Sequence, residues 1–464
     1  MKTTKIFSFI AALLAMLMVL SACGAASGTP SATQAASQSA DTQPTAATEK
    51  AADPVTITYC NFNSSGGNEE TLAKMVEAFE ASHPDIKVDV ETIGYDDYFT
   101  QMQTRVAGGT APDCYELNIE NFAAYANKGL LAEISGVDVS GLNDTALNAF
   151  CVNGKQYGLP ESFSNVVLIY NKDLLNKYFQ ADWSTIKSID DLVGFKALKT
   201  VADEIQEHKD DLGVKGAFTS AGFDSSSDWR FKEQLAGIPL AYELDGVTEQ
   251  PATIKGTYLP ELKQTFDLYL KDSTVSPTEL SAKTGNDATS EFALGEGVFY
   301  QNGTWAWSDL QKEGVKADMV GAIPIYMGLP GEEEKGLATG SGDNYWAINN
   351  KVSEADQQAT KDFLKWVITS DKGKKAMTDD MGFVTPFKSF SDMKSSNPIV
   401  QADQEMADAG KQDVSWDGIM FMPSQQWKDG VGSAMLEYVQ GTGKWDAVKT
   451  AYVDGWTSEY ESTH

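Results

Sequence analysis

The chain has only two arginines, Arg105 and Arg230, and three histidines, His83, His208 and His464, in 464 residues. Sites for carboxylate or phosphate ligands commonly use the bidentate arginine fork. Two arginines allow at most a sparse one, so a neutral ligand is expected. The scattered histidines offer no metal-ligand spacing, and no metal is expected. Basic residues are few overall: 36 Lys and Arg face 66 Asp and Glu, a formal net charge of −30. That balance argues against nucleic acid and acidic membrane surfaces, which want clustered cations. Of four cysteines, Cys23 stands apart near the start, and the other three (Cys60, Cys114, Cys151), an odd count at irregular spacing, make no disulfide framework. Cys60 and Cys114 fall in expected buried strands, where a thiol packs as a small hydrophobe; a single bridge between them stays open. G-x-S-x-G, G-x-x-x-x-G-K-[ST] and H-E-x-x-H are absent. No catalytic residue and no cofactor are therefore expected.

Long apolar runs are missing too, except at the start. Lys2 and Lys5 precede a nearly unbroken apolar stretch, Ile6 to Leu20, too short and too early for a stable span. It ends at Leu20-Ser21-Ala22-Cys23, which resembles the bacterial lipobox, cut before a cysteine that is then diacylated. Residues 1–22 are expected to be a lipoprotein signal peptide and Cys23 the lipidated residue, since two acyl chains anchor durably where one does not. Gly24 to Asp53 is almost wholly Ala, Ser, Thr, Gln, Gly and Pro. Such a stretch cannot bury enough apolar surface to offset ordering its backbone. As a coil of about 30 residues it reaches roughly 30 Å. Residues 23–53 thus read as a tether, holding the mature protein on the outer face of a bacterial cytoplasmic membrane.

The remaining 400 or so residues are too many for one ordinary core. Val55 to Phe62 is a β-branched and aromatic run. Asn68 stands where it can cap a helix, with Glu69 and Glu70 at the positive end. Leu72, Met75, Val76 and Phe79 follow at helical spacing. Ile86, Val88 and Val90 alternate as a strand, Tyr95 opens a second helix, and Gly108 to Asp113 breaks it before a strand at Cys114 to Leu117. Strand–helix–strand–helix–strand with short loops predicts a parallel sheet with right-handed crossovers. Ligands of such sheets bind beyond the carboxyl ends of the strands, here residues 61–68 and 118–121.

Specific segments then resemble a known family. They are Phe79-Glu80, His83 to Val88, Ala107-Gly108-Gly109-Thr110-Ala111-Pro112-Asp113, Gly129-Leu130-Leu131 and Asn153 to Pro160. Leu168 to Leu174, Asn302-Gly303-Thr304-Trp305-Ala306-Trp307-Ser308 and Phe363-Leu364-Lys365-Trp366 complete the set. In order and spacing they resemble the maltose-binding-protein-like extracellular solute-binding proteins, family 1, that serve ABC sugar importers. The resemblance implies an α/β fold of the periplasmic-binding-protein type, two α/β lobes joined by a three-segment hinge. Crossings are expected near Pro160 to Ser164, Val298 to Gln301 and Thr339 to Asn344. The first lobe would then be residues 54–162 plus 300–342, and the second 163–299 plus 343–464, the last segment packing across both.

Sugars present hydroxyls at their edges and C–H groups on their faces, so a site needs amides and carboxylates beside aromatic rings. In the first lobe Asn63, Ser64 and Glu69, and Asn118, Glu120 and Asn121, fall in the two loops from which the family's sugar contacts commonly come. Glu161, Ser164 and Asn165 follow the first crossing; Ser164 stands where maltose-binding protein carries a sugar-contacting glutamate, so that contact is changed. Asp224, Trp229 and Arg230 form a polar and aromatic loop in the second lobe. Asn302 and Trp305 lie on a Gly-broken segment, and Gly340 and Asp343 in a Gly-rich loop that lets backbone approach a ligand. Trp427, and with it Trp416, are candidate aromatic walls. For each aromatic residue the competing reading is plain core packing.

The function implied is capture of a neutral sugar or oligosaccharide by a monomeric lipoprotein, which closes by hinge motion and delivers to ABC permease subunits. Rival readings are a surface glycoside hydrolase, which needs two carboxylates about 5–9.5 Å apart, and the same fold binding a polyamine or peptide.

Overall fold

A computed structural model describes residues 53–463, apart from 63–67, 118–121, 123–124, 136, 138–149, 221, 225–226, 248–249, 342–344, 386, 391 and 416–420. The signal, Cys23 and the tether lie outside the described residues.

The strands in chain order are β1 (Val55–Asn61), β2 (Ile86–Thr92), β3 (Cys114–Leu117), β4 (Cys151–Val152), β5 (Lys155–Gln156), β6 (Gly158–Pro160) and β7 (Phe163–Asn171). Then come β8 (Gly216–Phe218), β9 (Gly297–Gly303), β10 (Val320–Ile323), β11 (Lys335–Ser341), β12 (Tyr345–Ile348) and β13 (Gln412–Ser415). The first sheet has the order β2-β1-β3-β12-β6. Parallel pairing of β1 with β2 and with β3 is what short strand–helix–strand units enforce. Helix α1 (Asn68–Ser82) buries Leu72, Met75, Val76 and Phe79 against it, the face that the spacing predicted. Helix α2 (Tyr95–Gly108) buries Tyr98 and Met102 on the other side. Asn68 does not cap α1: it is the helix's first residue, buried, with Oδ1 unpartnered. Cys60 and Cys114 are free thiols whose side chains belong to clusters on opposite faces of the sheet. No bridge joins them, because neighbouring strands put them out of phase.

The second sheet runs β13-β11-β7-β9-β8, with β10 also paired to β7. One face packs Val166, Leu168, Phe299 and Ala338 against helices; the other packs Val167, Ile169, Tyr300 and Leu337 beneath the helix Pro398–Asp408. The chain thus forms two α/β lobes.

Their boundaries differ from the expected ones. Residues 300–342 were expected in the first lobe, yet β9, β10 and β11 all belong to the second sheet. Residues from 345 on were expected in the second, yet β12 lies between β3 and β6, and the helix Glu354–Thr369 puts Phe363, Leu364 and Val367 into the first lobe's core. The cause is the second crossing. The stretch near Val298 to Gln301 is a strand interior, buried at every position, and crosses nothing.

Three crossings remain. Glu161 and Ser162 join β6 to β7, the segment after Ser341 joins β11 to β12, and the segment from Phe390 to Asn397 leads into the helix Pro398–Asp408. At the third, Asn397 Nδ2 donates to Thr304 O (2.8 Å) of the second lobe and Gly382 O (3.2 Å) of the first. The last segment packs on the second lobe, where Trp427, Tyr452 and Trp456 join its core.

Candidate functional site

Register fixes which strand ends share a side. Tyr345 pairs with both Leu117 and Pro160, so the carboxyl ends of β1 and β3 lie where β6 leaves for the second lobe. Val166 near the start of β7 pairs with Gly303 at the end of β9, Phe163 pairs with Ser341, and β8 runs parallel to β9. The carboxyl ends of β8, β9 and β11 therefore also meet the crossing. The described residues that follow these strand ends, Asn61 and Phe62, Pro160 to Ser164, Asp224 with Ser227 to Arg230, and Gly303 to Trp305, thus converge on the interlobe junction, where ligands of open α/β sheets bind.

In the second lobe the loop after β8 and the end of β9 bring two half-buried rings together. Trp229 and Trp305 stand 5.9 Å apart between centroids, at 56°. The Trp305 ring lies across Gly303, where any Cβ would strike it; only glycine permits that approach. Asp228 and Asp429 both hold the buried Lys232, at 2.7 and 2.8 Å, and so pin the turn that carries Trp229. Behind Trp229, Arg230 is 4% exposed. Its Cζ is 5.1 Å from the Trp229 ring and 5.1 Å from the Tyr300 ring, and Nη2 donates to Tyr300 Oη at 2.9 Å. Asn302 is buried and also donates to Tyr300 Oη, at 2.6 Å, while its Oδ1 accepts from Gly303 N. Asp224 is half-buried in the same loop. The structure thus gathers Asp224, Trp229, Arg230, Asn302 and Trp305, with Arg230 and Asn302 behind the rings.

Along the hinge, Glu161 is buried, Ser164 is half-buried and pairs with the buried Gly340. Asn165 is fully buried; its Nδ2 donates to Thr339 Oγ1 at 2.7 Å, which donates to Asp413 Oδ2 at 2.8 Å, and its Oδ1 is unpartnered. Burial first, then the nearby Asp413 carboxylate, push the Asp403 carboxyl up to about 7, with Asn165 opposing.

In the first lobe Glu69 is exposed at the start of α1. Asn63, Ser64, Asn118, Glu120, Asn121, Asp343 and Trp416 lie outside the described residues. Sequence reasoning missed Glu116, at the end of β3. Its Oε1 accepts from Tyr59 Oη (2.6 Å), which accepts from Trp346 Nε1 (3.0 Å), and its Oε2 accepts from Phe62 N (3.1 Å). Burial, then the Glu161 carboxylate, hold the Glu116 carboxyl well above the usual range. The signal was a glutamate in an otherwise apolar buried strand, which demands partners. Trp427 is 2% exposed, its indole N–H bonded to Tyr452 O at 2.9 Å and its ring packed on Trp456. It lies in the core and offers no wall.

Two α/β lobes joined by three crossings, with aromatic and polar loops at the junction, define a two-lobed binding protein. The model for the bacterial extracellular solute-binding proteins matches residues 74–408, and the chain belongs to that family. It is 28% identical over 217 residues to the melibiose/raffinose/stachyose-binding protein MelE of Bacillus subtilis, covering 46% of this chain and 47% of that one. It thus spans about half the length of that relative. Identity to the multiple sugar-binding protein of Streptococcus mutans is 25% over 337 residues, 70% of this chain and 73% of that one. An ABC substrate-binding protein of Listeria monocytogenes, solved with cycloalternan, superposes with TM-score 0.64 at 25% identity, over 89% of this chain and 99% of that one.

Proposed function

We propose that this chain captures a neutral sugar or short oligosaccharide between its lobes and delivers it to an ABC permease, without making or breaking a bond. The observation that carries this reading is the Trp229–Trp305 pair at the interlobe junction. Two half-buried rings can face sugar C–H surfaces while nearby amides and carboxylates take hydroxyls. Relatives named for melibiose, raffinose, stachyose and multiple sugars support the same ligand class. The contacting residues in this reading are Trp229, Trp305, Asp224, Glu161, Ser164 and Gly340, with Asn63, Ser64, Glu69, Asn118, Glu120, Asn121 and Asp343 opposite or between. Arg230, Asn302 and Asn165 hold these in place from behind. In this reading Cys23 carries the lipid, and the protein works as a monomer.

Titration calorimetry against a panel of neutral oligosaccharides, polyamines and peptides tests the ligand class. Saturable binding of a neutral sugar is expected. Binding confined to a polyamine or peptide, or turnover of a labelled oligosaccharide, would overturn it. Fractionation of Cys23→Ala tests the anchor: release from membranes is expected, and full retention would refute it.

A further inference from the structure

Arg230 is buried without a counter-charge. Its Nη2 donates to Tyr300, but Nε and Nη1 have no partner, and no carboxylate among the described residues pairs with it. The Trp229 and Tyr300 rings attract the cation through their faces. Ring faces, however, offer no acceptor to N–H groups in the guanidinium plane. A buried charge left in that state is costly.

Beside Arg230 lies a small cavity in the second lobe, about 20 Å³ in volume, above the roughly 10–15 Å³ that one water needs. Tyr269, Gln301, Thr219 and Ser273 line it with Arg230. The Tyr269 hydroxyl is fully buried and has no partner, and Gln301, whose Nε2 donates to Arg230 O at 2.9 Å, leaves Oε1 unpartnered. The unpartnered groups are thus guanidinium N–H donors, one hydroxyl and one amide oxygen. A water would satisfy the amide oxygen and one donor but leave the guanidinium charge uncompensated. An anion neutralises that charge and accepts from several donors at once. The uncompensated charge is the larger cost, and the volume admits only a small occupant.

We propose that this cavity binds one small monovalent anion of the halide class, with Arg230 as its principal ligand and the Tyr269 hydroxyl as a second donor.

Crystals of the sugar-free wild-type chain grown in sodium bromide test this directly. The expected result is an anomalous bromine peak in the cavity within hydrogen-bond reach of Arg230 Nη1 or Nε. A cavity holding only water, with no anomalous peak, would overturn the proposal whatever other measurements show. Thermal melts give an independent readout. With sodium chloride replaced by sodium gluconate at constant ionic strength, the melting temperature should fall by a few degrees, and chloride should restore it along a saturating curve. In Arg230→Met that chloride dependence should vanish. Equal chloride dependence in wild type and variant would count against the site.

Discussion

Trp229 and Trp305 follow the carboxyl ends of two neighbouring parallel strands, β8 and β9, and although 76 positions separate them in sequence their rings stand 5.9 Å apart. Neither is fully buried. The pair is therefore available to a ligand in a way that Trp427, fully committed to Tyr452 and Trp456, is not.

If both rings face sugar, Trp229→Ala and Trp305→Ala should each weaken affinity about ten- to a hundredfold, with only a modest fall in melting temperature. The double variant should show coupling of about 0.5–1.5 kcal/mol, since each ring helps to hold the other. Calorimetry beside melts of the free proteins measures both. A collapse of stability with unchanged affinity in the folded fraction would assign the pair to the core.

Gly303→Ala addresses the same platform from beneath. A methyl at Gly303 would collide with the Trp305 ring, so the ring must tilt away from its place. Overpacking of this kind costs roughly 1–3 kcal/mol. The expected outcome is a lower melting temperature together with an affinity loss comparable to that of Trp305→Ala. An affinity equal to wild type would show that the ring's position does not matter to the ligand.

Much of the first lobe could be read in advance because its signals are local. Leu72, Met75, Val76 and Phe79 repeat at helical spacing, and all are buried on one face of α1. The glycines before Cys114 end a helix, and β3 starts where expected. The lobe boundaries could not be read that way. Gly297–Gly303 is buried at every position whether it crosses between lobes or sits inside a sheet, and only its pairing with β7 and β8 distinguishes the two. Arg230 and Asn302 were visible as polar residues near aromatic ones. Their places behind the rings depend on Tyr300, a long-range contact with no local pattern.

A pH prediction follows from Asp403. Its carboxyl is raised to about 7 in the folded protein, against about 3.9 when unfolded. The folded state then holds the extra proton between these values, so its contribution is complete below about pH 4 and is lost as pH rises through 7. Wild-type stability should decline from pH 5 to pH 8 more steeply than that of Asp403→Asn, which has no carboxyl there to ionise. Urea melts at the two pH values measure the difference. Identical slopes would mean that Asp403 ionises normally beside Asp413 and Asn165.

Asn397 carries the third crossing, and its side chain does three things at once. Nδ2 bonds Thr304 O of one lobe and Gly382 O of the other, while Oδ1 accepts from Ile399 N and caps the helix Pro398–Asp408. The residue is fully buried, so truncation takes the side-chain acceptor from Ile399 N and a donor from two carbonyls, of which Thr304 O keeps Trp307 N at 3.4 Å. Loss of a cap costs about 0.5–2 kcal/mol, and an orphaned buried group about 1–3 kcal/mol. Asn397→Ala should therefore destabilise the protein by about 2–4 kcal/mol in urea melts. Asn397→Asp keeps the capping oxygen but loses the amide donor, and should recover only the cap's share. Because the lost bonds join Thr304 to Gly382 across the hinge, Asn397→Ala should also alter how far the lobes close. Small-angle scattering with and without saturating ligand reads that directly: the change in radius of gyration should differ from wild type in Asn397→Ala. If closure is unchanged while stability falls, Asn397 is a cap and a brace but does not set the hinge.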